Sequence, residues 1–229
     1  MKSITQLLKV KESKSLYITS SYSTITTSYS KMKVTENGKK VLKLIFTDFL
    51  TSYNSYNIKD KIRLSNAGSL KLLRSLHEKN LLTSNKMGNA IFYKPNLENN
   101  YLLKCMELIF LDHSDLSSFV KGWIYDLDSL APYTKAVLLF GSILKKGKEA
   151  KDVDVCMILK KSEDYGQLQA MVNQMNKNNR LKIHPLFLTK KAFEQKLKEK
   201  DQPLVEIVKS CVVVHGQELF VEVLKNVQS

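Results

Sequence analysis

Hydrophobic and polar residues change their spacing several times along the first half of the chain, and each change predicts an element. Apolar residues at helical intervals alternate with shorter strand-like runs. Ser65 is expected to cap the third helix, and Asn80 to end it with a left-handed backbone. Between residues 34 and 96 the pattern predicts helices at 39–50, 58–62 and 66–79, then strands at 81–84 and 90–93 around a turn at 85–89.

Helical and strand-like patterns alternate through the second half of the chain. One or two linking helices are expected within 97–130, with a break at 112–115. Strands are then expected at 136–140, 152–159, 181–188 and 212–214, and helices at 162–175, 193–197, 203–209 and 218–227. This alternation indicates an α/β (α+β) fold, and we expect a mixed sheet with helices on one face.

The stretch AVLLFGSILKKGKEAKDVDVCMIL, residues 136–159, carries the strongest chemical signal. An apolar run ends at Gly141-Ser142, and Asp152 and Asp154 alternate along the next one. On a strand, residues two apart point to the same face, so the two carboxylates lie side by side and repel each other. A divalent cation relieves that repulsion, and Mg²⁺ commonly takes one or two carboxylates plus substrate phosphates. Gly141 allows a close backbone approach to a phosphate, to which Ser142 can donate a hydrogen bond.

The order strand, Gly-Ser, short helix and Asp-x-Asp resembles the nucleotidyltransferases of the polymerase-beta superfamily, most of all the minimal prokaryotic and archaeal ones. Gly141, Ser142, Asp152 and Asp154 match the family motif one by one. The resemblance implies that the aspartates are catalytic and hold Mg²⁺ or Mn²⁺ against a nucleoside triphosphate. It also implies a phosphate-binding set of Gly141, Ser142, Lys145 and Lys146.

One feature of that family is missing. Active members usually carry a third carboxylate on a later strand, but the corresponding run, LKIHPLFL at 181–188, has no acidic residue. His184 is the nearest polar candidate, and a packed or surface role is the commoner one for such a histidine. Three functions stay open: a nucleotidyltransferase, a DNA-binding transcriptional regulator that only senses nucleotide, and an antitoxin-like protein that nucleotidylates a partner protein.

Residues 34–97 resemble a winged helix-turn-helix domain, in which LSNAGSLKLLRSLHEKNLL corresponds to the recognition-helix segment and MGNAIFYKPN to the wing. The resemblance implies a nucleic-acid partner, with DNA favoured, contacted by Asn66, Gly68, Lys71, Arg74, Lys86 and Lys94. The distribution of charge along the chain also favours a nucleic-acid partner. Residues 1–96 hold 17 basic and 5 acidic residues, whereas residues 97–229 hold 19 and 17. The net charge of +14 is thus concentrated in one half, as expected for a polyanion-binding region.

Composition predicts a cytoplasmic chain. No apolar run approaches the roughly 20 residues of a membrane helix, and we expect no membrane partner. Cys105, Cys156 and Cys211 are expected to be buried thiols.

The chain is predicted to divide into a Ser/Thr/Tyr-rich segment at 1–33, the winged helix at 34–97, linking helices at 98–130 and the nucleotidyltransferase-like domain at 131–229. Segment 1–33 is typical of exposed strands or of a flexible tail, and whether the chain forms a homodimer stays open.

Overall fold

The computed structural model describes residues 34–229, so the interpretation of segment 1–33 lies outside the described residues. The described part is a mixed α+β structure with ten α-helices and two sheets. Residues 37–229 form one compact unit. Within residues 34–229, none of the helices combines the length and the apolar character that a membrane span requires.

Three helices and a hairpin come first, as predicted. They are α1 (Glu36–Thr47), α2 (Ser55–Ile62), α3 (Asn66–Glu78), β1 (Leu82–Met87) and β2 (Ala90–Pro95). The Ser65 hydroxyl accepts a hydrogen bond from the Gly68 amide at 3.0 Å, and Asn80 has a φ of 58°. Both predicted ends of α3 are therefore confirmed.

The hairpin differs from its prediction. Residues 85–87, expected in the turn, continue β1 and pair with β2, so that only Gly88 and Asn89 form the connection. Two-residue hairpin loops need a positive φ, which Gly88 supplies at 60°. The prediction of a five-residue turn was wrong because polar residues on an exposed ribbon look like loop residues.

The second sheet is mixed, as expected, with strand order β5-β4-β3-β6. Strands β4 and β5 are parallel, and the other two pairings are antiparallel. The elements are α4 (Asn100–Leu111), α5 (Ser118–Asp128), β3 (Thr134–Phe140), α6 (Ile143–Lys146), β4 (Asp152–Leu159), α7 (Tyr165–Asn178), β5 (Lys182–Thr189), α8 (Lys190–Lys198), α9 (Gln202–Ser210), β6 (Val212–His215) and α10 (Gln217–Gln228).

Both faces of this sheet are covered, which corrects the expectation of helices on one face. Helices α5 and α7 pack against the face that carries Val137, Val153 and Val155. The alternate residues Leu138 and Cys156 are fully buried as well, on the face where α8 and α10 lie. The cause is visible in β3, whose continuous apolar run AVLL leaves no polar face. All three cysteines are buried and free, as predicted, and burial raises the pKa of Cys156 to about 12.

A polar cluster fastens the N-terminal helices to the C-terminal part of the unit. The Tyr53 hydroxyl donates to Asp48 Oδ2 at 2.6 Å, and Lys209 Nζ of α9 lies 3.1 Å from Asp48 Oδ1. Burial alone would raise the pKa of Asp48, but hydrogen bonds from Tyr53, Lys209 and Thr51 outweigh it and lower the pKa. The Gln228 side chain adds a hydrogen bond to the Phe46 carbonyl at 3.1 Å.

Candidate functional site

The two aspartates lie at the start of β4 on one face of the sheet. Val153 between them is fully buried, while the side chains of Asp152 and Asp154 are 35% and 29% exposed. The predicted alternation is therefore present in the strand. Both carboxylates lie at the end of the sheet where the interior strand β4 begins, beside the end of β3, because Phe140 pairs with Asp154 in the antiparallel register.

Gly141 follows β3 directly and contacts the Asp154 side chain. Its φ is +82°, a conformation that L residues rarely adopt. A Cβ built on Gly141 would overlap Asp154 Oδ2 and approach the Asp154 Cγ to 3.0 Å. Glycine is thus required twice here, for the backbone conformation and for the space that the carboxylate occupies. The sequence predicted a close approach to a phosphate, and the structure shows a close approach to the aspartate.

Ser142 and the two lysines belong to the short connection from β3 to β4. The Ser142 carbonyl accepts hydrogen bonds from the amides of Lys145 at 3.1 Å and Lys146 at 2.8 Å, while its hydroxyl makes no capping hydrogen bond. Ser142 is half-buried, and both lysines are exposed on helix α6. The structure therefore places Ser142 next to the glycine and leaves the two lysine side chains at the solvent-facing surface.

His184 completes the group and occupies the neighbouring strand. It pairs with Asp154 in the parallel register of β4 and β5. Its Nδ1 lies 3.6 Å from Asp152 Oδ2 and 4.0 Å from Asp154 Oδ1, and its side chain is 61% exposed. The expected strand thus presents a histidine, not a carboxylate, to the aspartate pair. Sequence alone could not fix this contact, since it depends on the register between two strands separated by a helix.

The electrostatics of the pair favour a cation. Burial raises the pKa of Asp154, and the charge of Asp152 raises it further, against an opposing effect of His184. Among residues 34–229, no group of three or more His, Cys, Asp or Glu side chains is arranged to coordinate a metal ion by protein ligands alone. Two hard carboxylates suit Mg²⁺ or Mn²⁺, whose other positions are filled by water and by phosphate oxygens. The donor set therefore fits the expected ion.

The residues predicted to contact nucleic acid lie on α3 and on the hairpin. Asn66, Lys71 and Arg74 are exposed on α3, whereas Gly68 is half-buried and bonded to the Ser65 cap. Lys86 pairs with Ile91, and Lys94 with Thr83. Because side chains alternate along a strand, these pairings put the two lysines on opposite faces of the hairpin. Lys86 is the last but one residue of β1, two residues before Gly88 of the turn.

Comparison of the chain with protein-family models, with curated proteins and with solved structures finds no match.

Proposed function

We propose that this protein is a Mg²⁺-dependent nucleotidyltransferase, which transfers a nucleoside monophosphate from a nucleoside triphosphate to an acceptor hydroxyl. The observation that carries the proposal is the fit of Gly141 against Asp154, beside Asp152 on the same face. A pair of surface acids without a function would not require a glycine directly after the neighbouring strand. Here the backbone conformation and the lack of a Cβ both serve to hold one carboxylate beside another.

Each residue of the group has a role in this proposal. Asp152 and Asp154 would hold the ion, and Mg²⁺ supplies charge neutralisation on the triphosphate when it is bound. The Ser142 hydroxyl, which is not used in capping, donates to a phosphate oxygen. Lys145 and Lys146 offset phosphate charge from the exposed side of α6. Positioning and charge compensation account for most of the catalysis in phosphoryl-type transfers.

His184 is proposed as the base. With the proton on Nδ1, the side that faces Asp152 and Asp154, Nε2 is the basic nitrogen. That nitrogen takes the proton of the acceptor hydroxyl as the new phosphoester bond forms and pyrophosphate leaves. The distance of 3.6 Å exceeds that of a direct hydrogen bond, so the contact with Asp152 is electrostatic.

Delivery to nucleic acid is part of the same proposal. Residues 34–97 have three helices and a two-stranded hairpin in the order of a winged helix-turn-helix domain. A net charge of +7 over residues 34–96 supports a nucleic-acid partner for that region. Asn66, Lys71 and Arg74 on the exposed side of α3 are its proposed contacts, with Lys86 and Lys94 on either face of the hairpin.

A nucleotide-sensing regulator is the second candidate. The observation that favours it is the exposed histidine at the place of the third carboxylate. Pyrophosphate release from each of the four ribonucleoside triphosphates, with and without Mg²⁺, separates the two. Steady release that is lost in Asp152→Asn supports the transferase, and binding without release supports the sensor. With a labelled triphosphate, transfer to a co-purifying protein and not to nucleic acid would select the antitoxin-like function.

A further inference from the structure

A lysine-lined cleft lies at the other end of the main sheet from the aspartates. It encloses about 560 Å³ where β3 begins, β4 and β5 end and α8 starts. Lys160 directly follows β4 and is six residues after Asp154, which corresponds to roughly 20 Å of extended chain. The cleft is therefore separate from the candidate active site. Its charged lining consists of one glutamate and six lysines, Lys135, Lys160, Lys161, Lys190, Lys191 and Lys198.

Most of this positive charge is not compensated by the protein. Lys190 pairs with Glu222 at 2.7 Å and Lys198 with Glu194 at 2.9 Å, whereas Lys160 donates to a backbone carbonyl. The other three lysines of the cleft have no carboxylate within ion-pair distance in the part of the chain that the structure describes. Residues 97–229 carry only two more basic than acidic residues, whereas the lining of the cleft carries five more.

Helix α8 adds to the positive potential. Its first turn begins with Lys190 and Lys191, after Thr189, whose hydroxyl caps the helix by accepting from the Ala192 amide at 3.2 Å. A helix N-terminus carries partial positive charge and is stabilised by acidic residues, so two lysines there oppose the stability of the helix. A bound anion would relieve the repulsion among the lysines and between the lysines and the helix end.

The positive surface continues from this cleft toward the hairpin. A second cleft of about 570 Å³ lies between the hairpin, the loop after α1 and the end of α8. Its charged lining consists of Glu98 and of Lys94, Lys198 and Lys200, and Lys198 also lines the first cleft. The two clefts therefore adjoin at Lys198, and we call the lysines that line them the lysine path.

We propose that this lysine path binds the phosphate backbone of a nucleic acid, as a second contact surface beyond helix α3. Backbone phosphates are a regular row of anions, and lysines bind them as point charges without reading sequence. The path would then hold the strand that the hairpin meets, along the side of the sheet away from the aspartates. This inference rests on the proposed nucleic-acid partner of residues 34–97 and is independent of the proposed transferase activity.

The salt dependence of DNA binding tests the lysine path. We would measure fluorescence anisotropy of a labelled 20-base-pair duplex of mixed sequence between 50 and 300 mM KCl, for the full chain and for Lys161→Gln/Lys191→Gln. Each lost phosphate contact lowers the slope of log K against log[KCl] by about 0.9, so the double variant should lose about 1.8. At 0.1 M KCl this corresponds to a loss of affinity on the order of tens-fold.

The matched control is Lys121→Gln/Lys177→Gln, which removes the same charge from exposed positions on α5 and α7. We expect the control to keep the wild-type slope, and Asp152→Asn to keep it too. Equal slopes for both lysine variants would overturn the proposal, because net charge alone would then explain the binding. The proposal would also fail if Lys161→Gln/Lys191→Gln weakened binding of inorganic triphosphate and left the duplex slope unchanged.

Discussion

Gly141→Ala is the sharpest test of how the candidate site is built. An alanine there would have to adopt a φ of +82°, which costs an L residue about 1–2 kcal/mol. Its Cβ would also overlap the Asp154 carboxylate, and such overpacking adds about 1–3 kcal/mol. We therefore expect the free energy of unfolding to fall by about 2–5 kcal/mol, measured by urea denaturation, and Mg²⁺-dependent ATP binding to disappear.

Two controls separate the backbone effect from the contact. Gly88 also has a positive φ, at 60°, but a Cβ there meets no atom within 4 Å, so Gly88→Ala should cost only the backbone share of about 1–2 kcal/mol. The second control is made in an Asp154→Ala background. This change removes the carboxylate that a Cβ at residue 141 would overlap. In that background only the Cβ of residue 154 stays close, at 3.1 Å, so Gly141→Ala should cost less than in the wild type and slightly more than Gly88→Ala.

An equal cost of Gly141→Ala with and without the Asp154 side chain would contradict this expectation. The glycine would then serve only the turn, and its contact with the carboxylate would have no energetic weight. Retention of ATP binding in Gly141→Ala would lead to the same conclusion about the site.

Three further predictions concern single side chains. Asp154→Asn should raise the free energy of unfolding at pH 7, because a raised folded-state pKa penalises the ionised form. In urea denaturation the gain should vanish as the pH falls below 3.8. Lys209→Met should cost about 1–3 kcal/mol by breaking the pair with Asp48. That loss should shrink in acid, since the lowered pKa of Asp48 gives stability above pH 3.8 that is lost as the pH falls through the folded-state pKa. His184→Asn should leave ATP binding intact and lower kcat for pyrophosphate release by about 100-fold or more. An unchanged kcat would exclude the histidine as the base.

Local patterns predicted both ends of α3 and the strand that carries the aspartates, whereas α1 begins and ends three residues before its predicted bounds. Ser65, Asn80 and the alternation of Asp152 with Val153 depend on near neighbours, so the sequence contains the necessary information. The same local pattern predicted too short a β1. Its outer residues are polar because they face solvent, and only pairing with β2 shows that they form a strand.

Long-range contacts could not be predicted in this way. The meeting of His184 with the aspartates depends on the register of β4 with β5, and the pair of Asp48 with Lys209 joins residues far apart in the chain. The second covered face of the sheet did leave a signal. A strand buried on both faces reads as a continuous apolar run, and AVLL in β3 is such a run.

The most direct test of the proposed nucleotide site is ATP binding by titration calorimetry, with and without Mg²⁺, on the wild type and on Asp152→Ala/Asp154→Ala. We predict binding by the wild type that requires Mg²⁺ and is absent from the double variant, with both proteins folded by circular dichroism. Equal binding by the two proteins, or no binding by the folded wild type, would contradict the assignment of Asp152 and Asp154.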